Sequence, residues 1–144
     1  MTKEFNSKKR QRFLLIDDDP IYRAIILRCA KAEGIDLDVF ESLMDVGCIT
    51  LLGQYDAAIL DYDLGNLNGT EIADYLSALF GDIPMILVSD SDRTPGIKGW
   101  PTNIKKFMRK SDGFAATLKE AVKFSDLRGS ELGVLSEIGQ GVAA

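Results

Sequence analysis

Five strand-sized apolar runs divide the chain, at residues 12 to 16, 37 to 40, 57 to 60, 85 to 88 and 104 to 108. In the first, third and fourth runs apolar residues follow one another directly (Phe13 to Ile16, Ala57 to Leu60, Met85 to Val88) instead of alternating with polar ones, the pattern of strands buried on both faces. Between the runs the apolar spacing turns helical. Ile21, Ile25, Ile26, Cys29 and Ala30 recur at helix intervals, as do Ile72, Ala73, Leu76 and Leu79, and later Ala115, Leu118, Ala121 and Val122. Pro20 suits a first helical turn, Gly34 a helix end, and Asn68 or Thr70 a cap before the third helix. Strands and helices alternating in this way predict an α/β fold, a parallel sheet covered on both sides. The place of a fourth helix is weak, because Pro95, Gly96, Gly99 and Pro101 interrupt it. A loop, or one short irregular turn, is expected there.

At 144 residues the chain has the length of one domain, able to bury a core without disulfides or metals. No apolar run approaches the ~20 residues of a membrane-crossing helix, so no membrane association is expected. Lys3, Lys8, Lys9, Arg10 and Arg12 crowd the beginning, although the formal net charge is −5. Residues 1–11 read as a solvated basic tail without direct nucleic-acid binding. No secretory apolar segment follows this tail, which points to the cytoplasm. Cys29 and Cys48 fall in apolar helical patterns, as free thiols usually do. Histidine is absent altogether, which excludes Ser-His-Asp catalysis, histidine metal sites and a phosphohistidine role.

The polar residues at the ends of the apolar runs carry the chemistry. Asp17, Asp18 and Asp19 follow the first run, Asp61 and Asp63 the third, Ser89 the fourth and Lys110 the fifth. In an open parallel sheet the carboxyl ends of the strands are where ligands bind. Carboxylates crowded on one rim repel each other unless a cation neutralises them. Magnesium, which takes one or two carboxylates together with a phosphate oxygen and water, suits this set. An aspartate placed there can act both as ligand and as nucleophile toward a phosphoryl group. The metal, a hydroxyl and an ammonium would then share the charge on the phosphoryl oxygens.

Four stretches taken in order are Leu14-Leu15-Ile16-Asp17-Asp18-Asp19-Pro20, Tyr55-Asp56-Ala57-Ala58-Ile59-Leu60-Asp61, Ile86-Leu87-Val88-Ser89 and Phe107-Met108-Arg109-Lys110. Together they closely resemble the receiver domain of two-component response regulators, CheY-like proteins, over about residues 12 to 124. The resemblance implies a flavodoxin-like, doubly wound five-stranded parallel sheet of order 2-1-3-4-5. It makes Asp61 the phosphoacceptor, Asp18 a direct magnesium ligand, Asp17 a ligand mostly through water, and Asp63 a donor of its backbone carbonyl. Ser89 takes the hydroxyl position, Lys110 the ammonium position, and Phe107 that of the aromatic switch. Asp19 begins the first helix. The domain would receive its phosphoryl group from a histidine kinase or phosphotransfer protein and switch its binding to an unidentified downstream partner or output domain. Homodimerisation is a further possibility of the family. Such a domain catalyses only its own phosphorylation and dephosphorylation.

Three features depart from the family pattern. Asp90 follows the hydroxyl residue where a small side chain is usual, so it either hinders phosphodonor entry or caps a solvated turn. Ser111 replaces the proline that usually follows the lysine, and a trans peptide is expected, since a cis bond without proline costs ~2.5–4 kcal/mol. The interrupted fourth helix suggests an altered readout. These departures motivate one alternative, a receiver-like interaction domain independent of phosphorylation. Another is a haloacid-dehalogenase-like phosphatase, because Asp61-Tyr62-Asp63 also suits that nucleophile pair. The order of the acids opposes it, as does the lack of room for a cap domain. Residues 125–144 read as an extra helix or a linker, and the chain is expected to be part of a longer regulator.

Overall fold

The computed structural model describes residues 11–47, 55–64, 67–68, 71, 74–75, 77–78, 83–90 and 102–127. Residues 1–10 of the basic tail, Cys48, Thr70, Ile72, Ala73, Leu76 and Leu79 of the third helical pattern, residues 91–101 of the interrupted fourth-helix segment and the residues after 127 lie outside this set.

Five parallel strands form the sheet: β1 (Arg12–Ile16), β2 (Asp36–Phe40), β3 (Ala57–Asp61), β4 (Met85–Ser89) and β5 (Ile104–Arg109). Their spatial order is β2-β1-β3-β4-β5, the flavodoxin-like arrangement. The chain leaves β1 outward to β2, then returns across β1 to β3, so strand order reverses at the β1/β3 boundary. In open α/β sheets this boundary opens a crevice at the carboxyl ends of the strands. Immediately after β3 the chain makes two two-residue strands, Asp63–Leu64 and Leu67–Asn68, paired antiparallel.

Helix α1 (Pro20–Ala32) starts where the sequence indicates. Asp19 is its N-cap, its side chain accepting a hydrogen bond from the Ile21 amide, and Pro20 occupies the first turn. Gly34 ends it with φ 72°, a left-handed conformation that glycine adopts without penalty. A short helix α2 (Leu43–Gly47) follows β2, residues 71, 74, 75, 77 and 78 are helical, and the final described helix covers residues 114–127.

The rotation of α1 differs from the apolar pattern in the sequence. Its buried stripe is Tyr22, Ile26 and Ala30, whereas Ile21 is 69% exposed and Ile25 41%. The sequence offers two overlapping apolar stripes, and a helix in contact with a sheet on one side can bury only one of them.

Strand alternation divides the core in two. On one side Phe13, Leu15, Ala57, Ile59, Ile86, Val88 and Met108 pack with Tyr22, Ile26 and Ala30 of α1 and with Leu118 and Ala121 of the 114–127 helix. On the other side Leu14, Ile16, Ala58, Leu60, Met85 and Leu87 pack with Val46, Tyr55 and Ile83. β1, β3 and β4 therefore present apolar side chains to both faces. Asp17, Asp61 and Lys110 continue the parity of the first face, and Ser89 and Phe107 that of the second.

Candidate functional site

Asp17 and Asp61 arrive at the rim as continuations of neighbouring strands. The Asp17 amide donates to the Phe40 carbonyl at 3.0 Å, extending the β1–β2 ladder one residue past β1. Asp61 is the last residue of β3, and the next amide, that of Tyr62, donates to the Val88 carbonyl at 2.8 Å. Both aspartates are buried, Asp17 completely and Asp61 to 5% exposure. Asp18, one position along from Asp17, faces solvent. Nevertheless, Asp17, Asp18 and Asp61 each bring a carboxylate oxygen within 4.8 Å of the others.

The loop after β1 is fixed from several directions. Oδ1 of Asp17 accepts from the Asp19 amide at 2.8 Å, and Arg23 Nη1 donates to the Asp17 carbonyl at 2.8 Å. Oδ2 of Asp17 lies 2.7 Å from Lys110 Nζ, which is also 3.8 Å from Asp61 Oδ2. Burial alone would lower the lysine's pKa. The hydrogen bond to Asp17, together with the charges of Asp61, Asp17 and Asp90, outweighs burial and holds it above its ordinary value. The ammonium is therefore charged at neutral pH and spans two buried carboxylates.

The other candidate residues lie on adjoining segments. Asp63 follows Asp61 in the first two-residue strand, its backbone carried close behind the acid. Ser89 ends β4 and is buried, one residue beyond the Asp61↔Val88 pairing, while Asp90 next to it is exposed. Phe107 is half-buried against the second core cluster and meets the Tyr62 ring edge-on, centroids 6.2 Å apart. The Lys110–Ser111 peptide is trans, as the absence of proline led us to expect, and a 3-10 turn (Lys110–Asp112) follows directly. Asp112 steadies that turn by accepting from the Arg109 amide at 3.0 Å.

Two contributors escaped the sequence analysis. Arg23 is unremarkable as a charged residue on a helix, and only its position one turn after the acidic loop suggests a tether. Tyr22 lies beneath Lys110, whose Nζ is 4.5 Å from the ring centroid. No spacing rule links residue 22 to residue 110.

Three carboxylates face one ammonium among the described residues of this cluster, an excess of negative charge with oxygen donors only. That donor set fits a hard divalent cation. Asp17, Asp18 and Asp61 would supply its carboxylate oxygens.

A sequence profile for the response regulator receiver domain matches residues 13–122. The sequence has no match among curated proteins. Among solved structures, a CheY-like receiver domain protein from Methanospirillum hungatei superposes with a TM-score of 0.71 at 16% identity, covering 85% of this chain and 99% of that one. The response regulator TrrA from Thermotoga maritima, in complex with Mg2+-BeF, superposes with a TM-score of 0.67 at 23% identity, over 79% of this chain and 98% of that one. A complex of the histidine kinase ThkA with TrrA gives a TM-score of 0.66 at 24% identity, over 79% and 97%. At these identities the likeness to solved structures establishes the fold.

Proposed function

The chain belongs to the response regulator receiver domain family, and from that premise we propose that it is a phosphorylation-controlled switch whose acceptor is Asp61. The observation that carries this reading is the meeting of Asp17, Asp18 and Asp61 within 4.8 Å, with Lys110 spanning Asp17 and Asp61. A carboxylate oxygen of Asp61 forms the new bond to phosphorus. The donor's phosphorus–nitrogen bond breaks, its electron pair remaining on the departing imidazole, and an acyl phosphate results. Lys110 Nζ, already near Asp61, pairs with the transferred phosphoryl oxygens, and the Ser89 hydroxyl offers a further donor. Magnesium is the proposed cation, with Asp17, Asp18, Asp61 and the Asp63 carbonyl as its protein ligands. When bound, it would neutralise charge on the phosphoryl group.

Phe107 is proposed as the side chain that reports the modification. It is only half-buried, and its edge-on partner Tyr62 is the residue next to the acceptor. Asp90 modulates the site through charge, since it already contributes to the field at Lys110. The donor is a histidine kinase or phosphotransfer protein. Two observations support that assignment: the structurally similar TrrA was determined in complex with a histidine kinase, and α1, which starts directly after the acidic loop, leaves Ile21 and Ile25 exposed. The chemistry is self-directed, not turnover of a separate substrate. The proposed setting is the cytoplasm; among the described residues no helix is long and apolar enough to cross a membrane.

The test is intact mass after incubation with acetyl phosphate and Mg2+. One phosphoryl adduct is expected, absent in Asp61→Asn and in the metal-free sample. An adduct that persists in Asp61→Asn would overturn the assignment of the acceptor.

A further inference from the structure

Lys110 must place a flexible ammonium between two carboxylates, and ion pairing by itself does not fix where on the rim it stands. A lysine side chain has four methylene groups and three rotatable donors, so many rotamers satisfy a carboxylate equally well. Here the ammonium has a third neighbour that carries no charge. Tyr22 of α1 lies under it, with Nζ 4.5 Å above the ring centroid, inside the distance at which an aromatic quadrupole attracts a cation.

The ring is held firmly. Tyr22 is 5% exposed and leans on Phe114 of the 114–127 helix, ring centroids 5.0 Å apart and planes tilted by 40°. Its helix is capped by Asp19, and Arg23 ties the same turn back to the Asp17 carbonyl. Asp17, Asp61 and Lys110 all follow the strand parity of the core face that α1 covers, so Tyr22 is the α1 residue placed to meet the ammonium. The phenol oxygen does not explain the residue. It is buried without a well-aligned partner, the neighbouring Thr117 hydroxyl donating instead to the Gly113 carbonyl at 3.1 Å. An aliphatic side chain would fill the space without burying that hydroxyl, so the aromatic face is the distinguishing contribution.

We propose that Tyr22 is a positioning residue for the phosphoryl-accepting reaction. Its ring holds the Lys110 ammonium at the point spanning Asp17 and Asp61, where a phosphoryl oxygen on Asp61 will meet it. This rests on the reading of Asp61 as acceptor. The ring touches neither the phosphoryl group nor the metal, and acts only through Lys110.

The test is a double-mutant cycle read by beryllofluoride affinity at saturating Mg2+. The proteins are wild type, Tyr22→Leu, Lys110→Ala and the double variant, with Tyr22→Phe as the conservative replacement. Loss of the cation–ring contact predicts about 5- to 30-fold weaker binding in Tyr22→Leu. Tyr22→Phe should bind as wild type does, and Tyr22→Leu should change nothing when Lys110 is already alanine. An equal loss in both backgrounds would make Tyr22 merely structural and overturn the proposal, as would wild-type affinity in Tyr22→Leu. Should Tyr22→Leu fold poorly, Tyr22→Met, whose flexible unbranched side chain adapts to an irregular space and carries no quadrupole, takes its place in the cycle. A ligand-free measurement separates this proposal from the acceptor reading. The Lys110 ε-methylene protons should be shifted upfield by the Tyr22 ring current in wild type and Tyr22→Phe, and not in Tyr22→Leu. A wild type that shows the ring-current shift but binds no beryllofluoride would sink the acceptor assignment. Absence of the shift in wild type would sink the placement of Lys110 over the ring.

Discussion

A phenol removed from water resists ionisation, and Tyr22 is pushed up from 10.0 to about 12. Burial raises it most; the charges of Asp17 and Asp61 add, and that of Lys110 opposes. Because the folded value lies above the unfolded one, the corresponding stability is complete below the ordinary phenol pKa. It is lost as pH rises through the folded value, in a window from 10.0 to about 12. A shift of this size corresponds to a loss on the order of 2 kcal/mol. Urea unfolding of wild type and Tyr22→Phe across that window should show the wild type falling away relative to the variant. A stability difference that stays constant would mean that the phenol ionises equally in the folded and unfolded chain, so that burial does not raise its pKa. The raised value of Lys110 acts in the same direction and is common to both proteins, so the comparison isolates the phenol. At this scale the sequence was only partly legible. The acids and the lysine were visible as polar ends of apolar runs, whereas Tyr22 was hidden between Ile21 and Ile25, which appeared equally good core residues.

At the opposite ends of the strands a second polar cluster joins three elements. Arg12, the first residue of β1, places Nη2 2.9 Å from Asp38 Oδ2 in β2, and the same oxygen accepts from the Tyr55 hydroxyl at 2.8 Å. The Arg12 guanidinium lies 5.1 Å from the Tyr55 ring centroid, and the Arg12 amide donates to Asp56 Oδ2 at 2.9 Å. Tyr55 and Asp56 immediately precede β3, so this cluster aligns β1, β2 and β3 far from the acidic rim. Tyr55→Phe should lower stability by about 1–2 kcal/mol, the loss of a hydrogen bond to a charged acceptor in a partly exposed setting. Phosphoryl uptake should be unaffected, because the change is at the other end of the strands. Urea unfolding alongside the mass assay checks both parts. An unchanged unfolding midpoint would show that Arg12 satisfies Asp38 alone.

Taken as one molecule, the protein folds three carboxylates onto one rim with one ammonium among the described residues there, and folding therefore works against repulsion until a cation arrives. Mg2+ at about 100 times its dissociation constant should stabilise the protein by about 2.7 kcal/mol. Asp18→Asn should raise the metal-free stability and diminish the gain from Mg2+. Thermal unfolding of both proteins with and without the ion measures this, and a wild type indifferent to Mg2+ would contradict the cation site. Consecutive apolar runs, helix spacing between them, and acids, serine and lysine at successive strand ends determined the parallel α/β fold and the family from the sequence alone. These are local patterns that report burial on both faces and chemistry at one edge. The face each side chain takes, and the neighbours Tyr22 and Arg23, were decided only by the tertiary structure. Strand register sends Asp17, Asp61 and Lys110 to one face and Ser89 and Phe107 to the other, and the rotation of α1 selects Tyr22 over Ile21 as the neighbour of the ammonium. Register and helix rotation are set by the packing of segments distant in the chain, so no local pattern placed residue 22 beside residues 17, 61 and 110.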